Sequence, residues 1–403
     1  MKLMKRLLSI SDNIYYYLLL AFIFLINISI AGSYIIFTLL IIGLLLYAVI
    51  GQKRENKSVS IRDSFPPFMK YFYLYIFFTL ISILFSIDKM ESLVDAKELF
   101  IFLLFPIFFL ILNSEKRIKT SLYVILISGV IHSFVGIYQG INWGITLNRR
   151  VKGLSSHWMT FAGLMMFIFV FFLIRSFYEN KKSRIIYLFL LVPVITAIAF
   201  SLTRSVWVGT FFAVGLFVIY YNYKIVYILI PLLIVSAIFL PHSVKSRFTS
   251  IVDLKNTTNV DRIYMAKTGY NVFKNYPLFG VGANNIKKVY NEYKPKGAPL
   301  NEHLHNNFIQ TLAERGIFTL LALILVFISI IINLIKKIKN GENFQKVLAI
   351  GVLFTFFAFL VAGMFEYNFG HSQIKFILFY FLSLPFIRTI KDNINNSLEE
   401  KSK

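Results

Sequence analysis

The chain alternates long apolar runs with short polar stretches. The runs fall near residues 14–31, 34–51, 67–86, 98–113, 121–140, 158–176, 186–201, 205–221, 225–240, 316–334, 347–365 and 373–389. Roughly 20 helical residues cross the hydrocarbon of a bilayer, and in lipid the backbone must satisfy its own hydrogen bonds. The pattern therefore predicts an all-α polytopic membrane protein of about twelve transmembrane helices. One polar interval, 241–315, is much longer than the rest. Turn signals at Tyr276-Pro277 and Gly280-Val281-Gly282 punctuate it. Ile263, Met265, Val272 and Phe273 predict an amphipathic helix over 261–276, and a further helix begins near Asn306 and enters the tenth span. The expected organisation is transmembrane helices 1–9 over 1–240, a mostly helical extramembrane subdomain at 241–315, and helices 10–12 with a solvated tail over 316–403.

Charge orients this pattern. Lys53, Arg54, Lys57 and Arg62 follow the second run; Lys116, Arg117 and Lys119 the fourth; Arg175, Lys181, Lys182 and Arg184 the sixth. Lys224 follows the eighth run, and Lys336, Lys337, Lys339 and Lys346 follow the tenth. All are even-numbered exits, so the positive-inside rule puts both termini in the cytoplasm and 241–315 on the outer side. The basic start, MKLMKRLLSISDN, has no small-residue cleavage site behind it, and a retained first helix is expected.

Composition agrees with a membrane chain: 57% of residues are hydrophobic and 15% charged. A net charge of +23 would suggest nucleic acid in a soluble protein. Here the basic residues sit in short loops between apolar runs, so no nucleic-acid partner is expected. There is no cysteine, which excludes disulfides, thiol catalysis and cysteine-based metal sites.

The unusual feature is positive charge on the outer side. Arg149, Arg150 and Lys152 share one short loop, Arg204 sits at the join between the seventh and eighth spans, and the long interval carries eleven Lys and Arg against five Asp and Glu. An ionisable residue held near the hydrocarbon marks function by default, and arginine's planar fork suits phosphate oxygens. Together these residues point to an anionic ligand arriving from the membrane, such as a lipid diphosphate. The competing reading has Arg204 snorkelling to a headgroup and Arg149 and Arg150 simply solvated. Among the histidines, His303 and His305 stand in HLHNN, immediately before the tenth span. A histidine there suits general-base chemistry near neutral pH, with nearby arginines expected to depress its pKa. Two other readings stay open: a His-x-His metal site, for which no third ligand at suitable spacing is evident, and helix capping by Asn306 with packing of the rings. His132, inside an apolar run, reads as a satisfied core residue. No Walker sequence, dinucleotide fingerprint or Ser-His-Asp order occurs, so no cofactor is expected.

PLFGVGANNIKKVYNEY followed by NEHLHNNFIQTLAERGIFTLL resembles the signature of the O-antigen ligase and polymerase family: a Gly-x-Gly turn, a His-Asn pair, and a helix opening the next span. SLTRSVWVG, DRIYMAKTGYNVF and RVKGLSSHWMTFAG resemble its other motifs, with Thr203 where the family often has serine. The resemblance implies a metal-independent, inverting glycosyltransferase of the bacterial inner membrane with a periplasmic active site. Its donor would be a glycan on undecaprenyl diphosphate. The acceptor would be a sugar of lipid A core in a ligase, which is favoured here, or another lipid-linked repeat in a polymerase. It further implies His305 as base and Arg204 and Arg262 as diphosphate ligands, with Arg150, His303 and Asn306 in support. A lipid-linked sugar flippase is the alternative from another class. It would keep its charges inside the spans rather than gathered at one side.

Overall fold

A computed structural model describes residues 2–51, 66–227, 230–231, 238, 242–253 and 255–387, and among these every regular element is helical. The α-helices are α1 (Lys2–Ile28), α2 (Ile30–Gly51), α3 (Met69–Leu84), α4 (Lys89–Asp95), α5 (Leu104–Ile111), α6 (Glu115–Trp143), α7 (Trp158–Ser176) and α8 (Lys181–Phe200). They continue as α9 (Arg204–Asn222), α10 (His242–Thr249), α11 (Thr257–Asn275), α12 (Ile286–Tyr293), α13 (Asn307–Asn340), α14 (Asn343–Gly363) and α15 (Ser372–Ser383). Among the described residues, six helices are long and apolar enough to cross a membrane: α6, α7, α8, α9 with its short extension to Ile225, α13 and α14. Apolar stretches of α1, α2 and α3, and Ser372–Phe386, are shorter. The chain is thus a polytopic helical membrane protein.

Two predicted runs do not appear as single helices. The run at 98–113 is a 3₁₀ segment, Ala96–Leu103, that passes into the short helix α5. Pro106 explains the break, because it has no N–H to give and its ring crowds the carbonyl four residues earlier. Most of the run at 225–240 lies outside the described residues, as do Lys53, Arg54, Lys57, Arg62 and the C-terminal tail.

Helix α15 runs through the centre of the bundle, with all of its residues buried. Apolar burial does little to drive one helix onto another in lipid, so close packing and interhelical hydrogen bonds must hold the bundle. Both are present. A Cβ on Gly209 of α9 would stand 2.6 Å from the Ala358 carbonyl of α14. Asn27 donates to Ser128 Oγ at 2.8 Å and joins α1 to α6. Ser121 and the Tyr380 hydroxyl lie 2.8 Å apart and join α6 to α15, and Gln373 donates to the Ile26 carbonyl at 3.0 Å.

The 241–315 interval has its own small core of Met265, Val272, Val281, Ile286, Val289, Tyr290, Leu304 and Ala313. Met265 and Val272 are seven residues apart on the buried face of α11, whereas Ile263, expected on that face, is exposed. The Gly-x-Gly turn packs edge-on against α13: Val281 N donates to the Ala313 carbonyl at 3.0 Å and Gly282 N to the Glu314 carbonyl at 2.7 Å. Gly280 has φ +67°, and a Cβ there would lie 2.3 Å from the Glu314 carbonyl carbon. Its partner is Gly316, at φ +76°, which kinks α13 and would bring a Cβ within 2.1 Å of the Leu278 carbonyl oxygen. The two glycines let two backbones touch, fixing the helix that follows the HLHNN segment.

Candidate functional site

Five segments distant in sequence meet at the end of the bundle that carries 241–315. They are the 144–157 loop, the start of α9, α10 with α11, the HLHNN segment, and the 364–371 loop after α14.

The 144–157 loop is held by α6. Gln139 Oε1 accepts from Lys152 N at 3.0 Å and Gly153 N at 2.8 Å, and its Nε2 donates to the Gly153 carbonyl at 2.7 Å. His132 Nε2 accepts from Leu154 N at 2.9 Å and so anchors the loop, but its Nδ1 is buried without a partner, so the histidine is only half satisfied, not the fully satisfied core residue expected. The loop turns Arg150 inward while Arg149 and Lys152 stay exposed. The Arg150 guanidinium lies 5.1 Å from the Trp158 ring centre, within cation–π range. His157 caps α7 by accepting from Met159 N at 3.2 Å.

Arg204 opens α9. Its Nη1 donates to the Ser250 carbonyl at 2.5 Å and to Ser250 Oγ at 3.2 Å, while Nε and Nη2 are buried without partners. Two residues earlier, Leu202 adopts φ +51°, and its carbonyl accepts from Arg247 Nε at 3.2 Å. A non-glycine residue in that region costs about 1–3 kcal/mol and occurs where surrounding structure imposes it. Arg262, on α11, stands 5.9 Å from the Phe365 ring centre. No ion pair neutralises Arg150, Arg204, Arg247 or Arg262 among the described residues. Burial lowers the pKa of Arg247 to about 10, with the charges of Arg150 and Arg262 adding to the effect. Burial followed by Arg204 and Arg262 lowers that of Arg150. Four cations therefore share one partly dehydrated region, an arrangement an anion would relieve. Arg247 was not singled out from the sequence, where it is one of eleven basic residues in the interval.

His305 sits beside this cluster in a left-handed backbone conformation, φ +46°. Its Nδ1 is 2.9 Å from Glu366 Oε1, and Glu366 is buried. Burial alone would raise the Glu366 pKa. The bond to His305 and the charges of His305, His371 and Arg262 outweigh it and hold Glu366 below the ordinary carboxylate value. An ionised carboxylate can only accept, so Nδ1 carries the hydrogen, and in the neutral ring Nε2 keeps its lone pair. For His305, desolvation lowers the pKa, but the hydrogen bond and charge of Glu366 outweigh desolvation and Arg262. The net shift is upward. This reverses the sequence expectation of an arginine-depressed pKa, because the dominant neighbour is an acid 61 residues away in the chain.

The two asparagines after His305 are structural. Asn306 caps α13 by accepting from Phe308 N at 2.9 Å and Ile309 N at 3.0 Å, and it donates to the Met364 carbonyl at 2.8 Å. Asn307 accepts from Phe369 N at 3.0 Å and donates to Asn368 Oδ1 at 2.6 Å. Together they stitch the HLHNN segment to the loop that carries Glu366. Glu366, a lone acid in MFEYNFG, carries almost no signal in the sequence. Among the described residues no group of three His, Cys, Asp or Glu side chains is arranged to hold a metal.

Six buried polar atoms without partners lie here: Arg150 Nε, Trp158 Nε1, Arg204 Nε and Nη2, His303 Nδ1 and Glu366 Oε2. Native interiors seldom leave such atoms unbonded, which makes these six candidates for ligand contacts.

The fold and site define a helical membrane protein with a cluster of arginines and a histidine–carboxylate pair at one end of its bundle. Residues 188–324 match the model of the O-antigen ligase family, the family that the sequence motifs resemble. The matched segment includes Arg204, Arg247, Arg262, His303 and His305; Arg150 and Glu366 lie outside it. The chain is also similar to a protein of Haemophilus influenzae described as uncharacterized. The two are 26% identical over 305 residues, which is 68% of this chain and 73% of that protein. The family match indicates an enzyme of the ligase or polymerase type, acting on lipid-linked glycans in a membrane setting.

Proposed function

We propose that the protein is an inverting, metal-independent glycosyltransferase. It moves a glycan from undecaprenyl diphosphate to a sugar hydroxyl of lipid A core, as an O-antigen ligase at the periplasmic face of the inner membrane. The observation that carries this reading is the four-arginine cluster, with its free donors, beside a histidine whose Nε2 is unbonded. His305 Nε2 takes the proton of the acceptor hydroxyl while Glu366 stabilises the imidazolium. The acceptor oxygen forms a bond to the anomeric carbon as the bond from that carbon to the diphosphate oxygen breaks. The charge that develops on the departing undecaprenyl diphosphate falls on the arginines. Arg204 and Arg262 bind the diphosphate, as expected from the sequence, and Arg150 and Arg247 complete its surroundings. The location of the charges at one end of the bundle favours transfer over a flippase, which needs polar groups along a central path.

Reconstituting the purified protein in liposomes with undecaprenyl-diphosphate-linked glycan and O-antigen-free lipopolysaccharide tests this. Transfer to the lipopolysaccharide, unchanged by EDTA, is expected. Extension of the lipid-linked glycan alone would make the protein a polymerase, and loss of activity on chelation would overturn the metal-independent mechanism.

The proposed orientation has its own test. The chain lacks cysteine, so single cysteines at the exposed Lys182 and Lys296 report independently. In intact spheroplasts an impermeant thiol reagent is expected to label position 296 and spare 182. The opposite pattern would invert the topology.

A further inference from the structure

The loop after α14 presents three consecutive side chains to three different parts of the site. Phe365 meets the Arg262 guanidinium at 5.9 Å, Glu366 meets His305 at 2.9 Å, and the Tyr367 ring meets His303 with ring centres 5.8 Å apart. Arg262 and His303 are thus both tied, through this one loop, to the His305–Glu366 pair. Tyr367 is held in turn by Arg315, whose Nη1 donates to its hydroxyl at 3.2 Å and whose Nη2 pairs with Asp95 at 2.9 Å. His303 is thus braced by a fixed ring. Leu304, between the two histidines, is buried and its N–H donates to Gln310 Oε1 at 2.6 Å, which fixes the spacing of the two rings. Yet His303 Nδ1 is buried with no partner.

We propose that His303 belongs to the acceptor subsite and hydrogen-bonds, through Nδ1, a second hydroxyl of the sugar whose attacking hydroxyl lies at His305. This rests on the glycosyltransferase reading. In an inverting displacement the acceptor approaches the anomeric carbon from the side opposite the leaving group. The arginines take the diphosphate, which leaves the unpartnered His303 Nδ1, a neighbour of the His305–Glu366 pair, for the acceptor. Burial, with the nearby His371 and His305 adding, lowers the His303 pKa. The ring is thus neutral near physiological pH and able to donate or accept at Nδ1 according to its tautomer. The ligand class is a pyranose with a hydroxyl next to the nucleophilic one, so His303 contributes to acceptor choice, not donor binding.

Steady-state kinetics in proteoliposomes test this, using undecaprenyl-diphosphate-linked glycan as donor and whichever acceptor the wild type uses, O-antigen-free lipopolysaccharide or the lipid-linked repeat itself. His303→Ala is expected to raise the acceptor KM roughly tenfold, the effect of losing one neutral hydrogen bond at the upper end of the usual range, with the donor KM within about twofold. His303→Asn, whose amide can reach the position of Nδ1, is expected to recover most of the loss and serves as the folded control. A rise in donor KM, a loss confined to kcat, or unchanged kinetics in His303→Ala would overturn the assignment while leaving the transferase reading intact. Absence of transfer by the wild type would overturn both.

Discussion

Replacing His305 by alanine is expected to lower the transfer rate by roughly 10²–10⁴-fold, the usual contribution of general-base catalysis. The expectation follows from the pairing with Glu366. That carboxylate fixes the tautomer, points Nε2 away from the bond and stabilises the charged ring once it has accepted a proton. A packing or capping residue would behave differently, since its loss lowers folded yield while leaving turnover per molecule intact. The cap of α13 is Asn306, so His305 is free of that duty. One complication is its left-handed backbone, which alanine tolerates poorly. His305→Asn addresses it, because asparagine is at ease there and can still reach Glu366, yet offers no base at the position of Nε2. Both variants should be folded and nearly inactive in single-turnover assays, with donor binding preserved. A folded His305→Asn enzyme with wild-type turnover would remove the base from the mechanism.

Arg262→Ala and Arg204→Ala should each lower kcat/KM for the donor by about 10- to 150-fold. This corresponds to the roughly 1.5–3 kcal/mol carried by a hydrogen bond to a charged group. Lysine should rescue poorly, since it lacks the fork that grips two oxygens at once. The two positions differ in a checkable way. Arg204 also holds the Ser250 carbonyl, so its removal disturbs the segment between α10 and α11. Among the described residues no ion pair ties down Arg262, and its attraction to Glu366 is set against the repulsion it adds to Arg150, Arg204 and Arg247. Arg262→Ala should therefore lose activity without losing melting temperature in detergent. Near-wild-type donor kinetics in Arg262→Ala would take that residue out of the diphosphate site.

Much of this was legible before any coordinates. Hydrophobic runs located the long apolar helices, because a bilayer fixes both the length and the composition of what crosses it, but they were blind to the short polar helices α4, α10 and α12. The exception, 98–113, failed where Pro106 imposed a local rule on an otherwise apolar stretch. Arg150 and Arg204 stood out because cations are costly near lipid and few reasons exist to keep them there, whereas Arg262 and His305 stood out through the motifs that resemble the family. Arg247 and Glu366 were lost for opposite reasons. Arg247 was one basic residue among many in a polar interval, and Glu366 was a single acid with no motif around it. Both acquire meaning only through tertiary contacts: Arg247 through the strained Leu202 carbonyl, Glu366 through a histidine 61 positions away. Missing Glu366 also gave the histidine pKa the wrong sign. The arginines were visible in the sequence, and the carboxylate that outweighs them was not.

That reversed sign supplies the most direct test of the central claim, that a Glu366-supported His305 is the base acting beside an arginine-bound diphosphate. The base must be neutral to accept a proton, so activity rises with pH through its pKa. In the wild type the acid limb should lie above the ordinary histidine value of 6.5, because Glu366 raises the pKa. In Glu366→Gln the carboxylate is gone while burial and Arg262 remain, and both lower the pKa. The limb should then shift to below 6.5, with a reduced plateau because the imidazolium is no longer stabilised. The measurement is the pH dependence of kcat/KM for the acceptor, recorded for both proteins in the same liposomes. A downward shift of the limb is the result predicted here, and a limb that stays in place when Glu366 is replaced would contradict it.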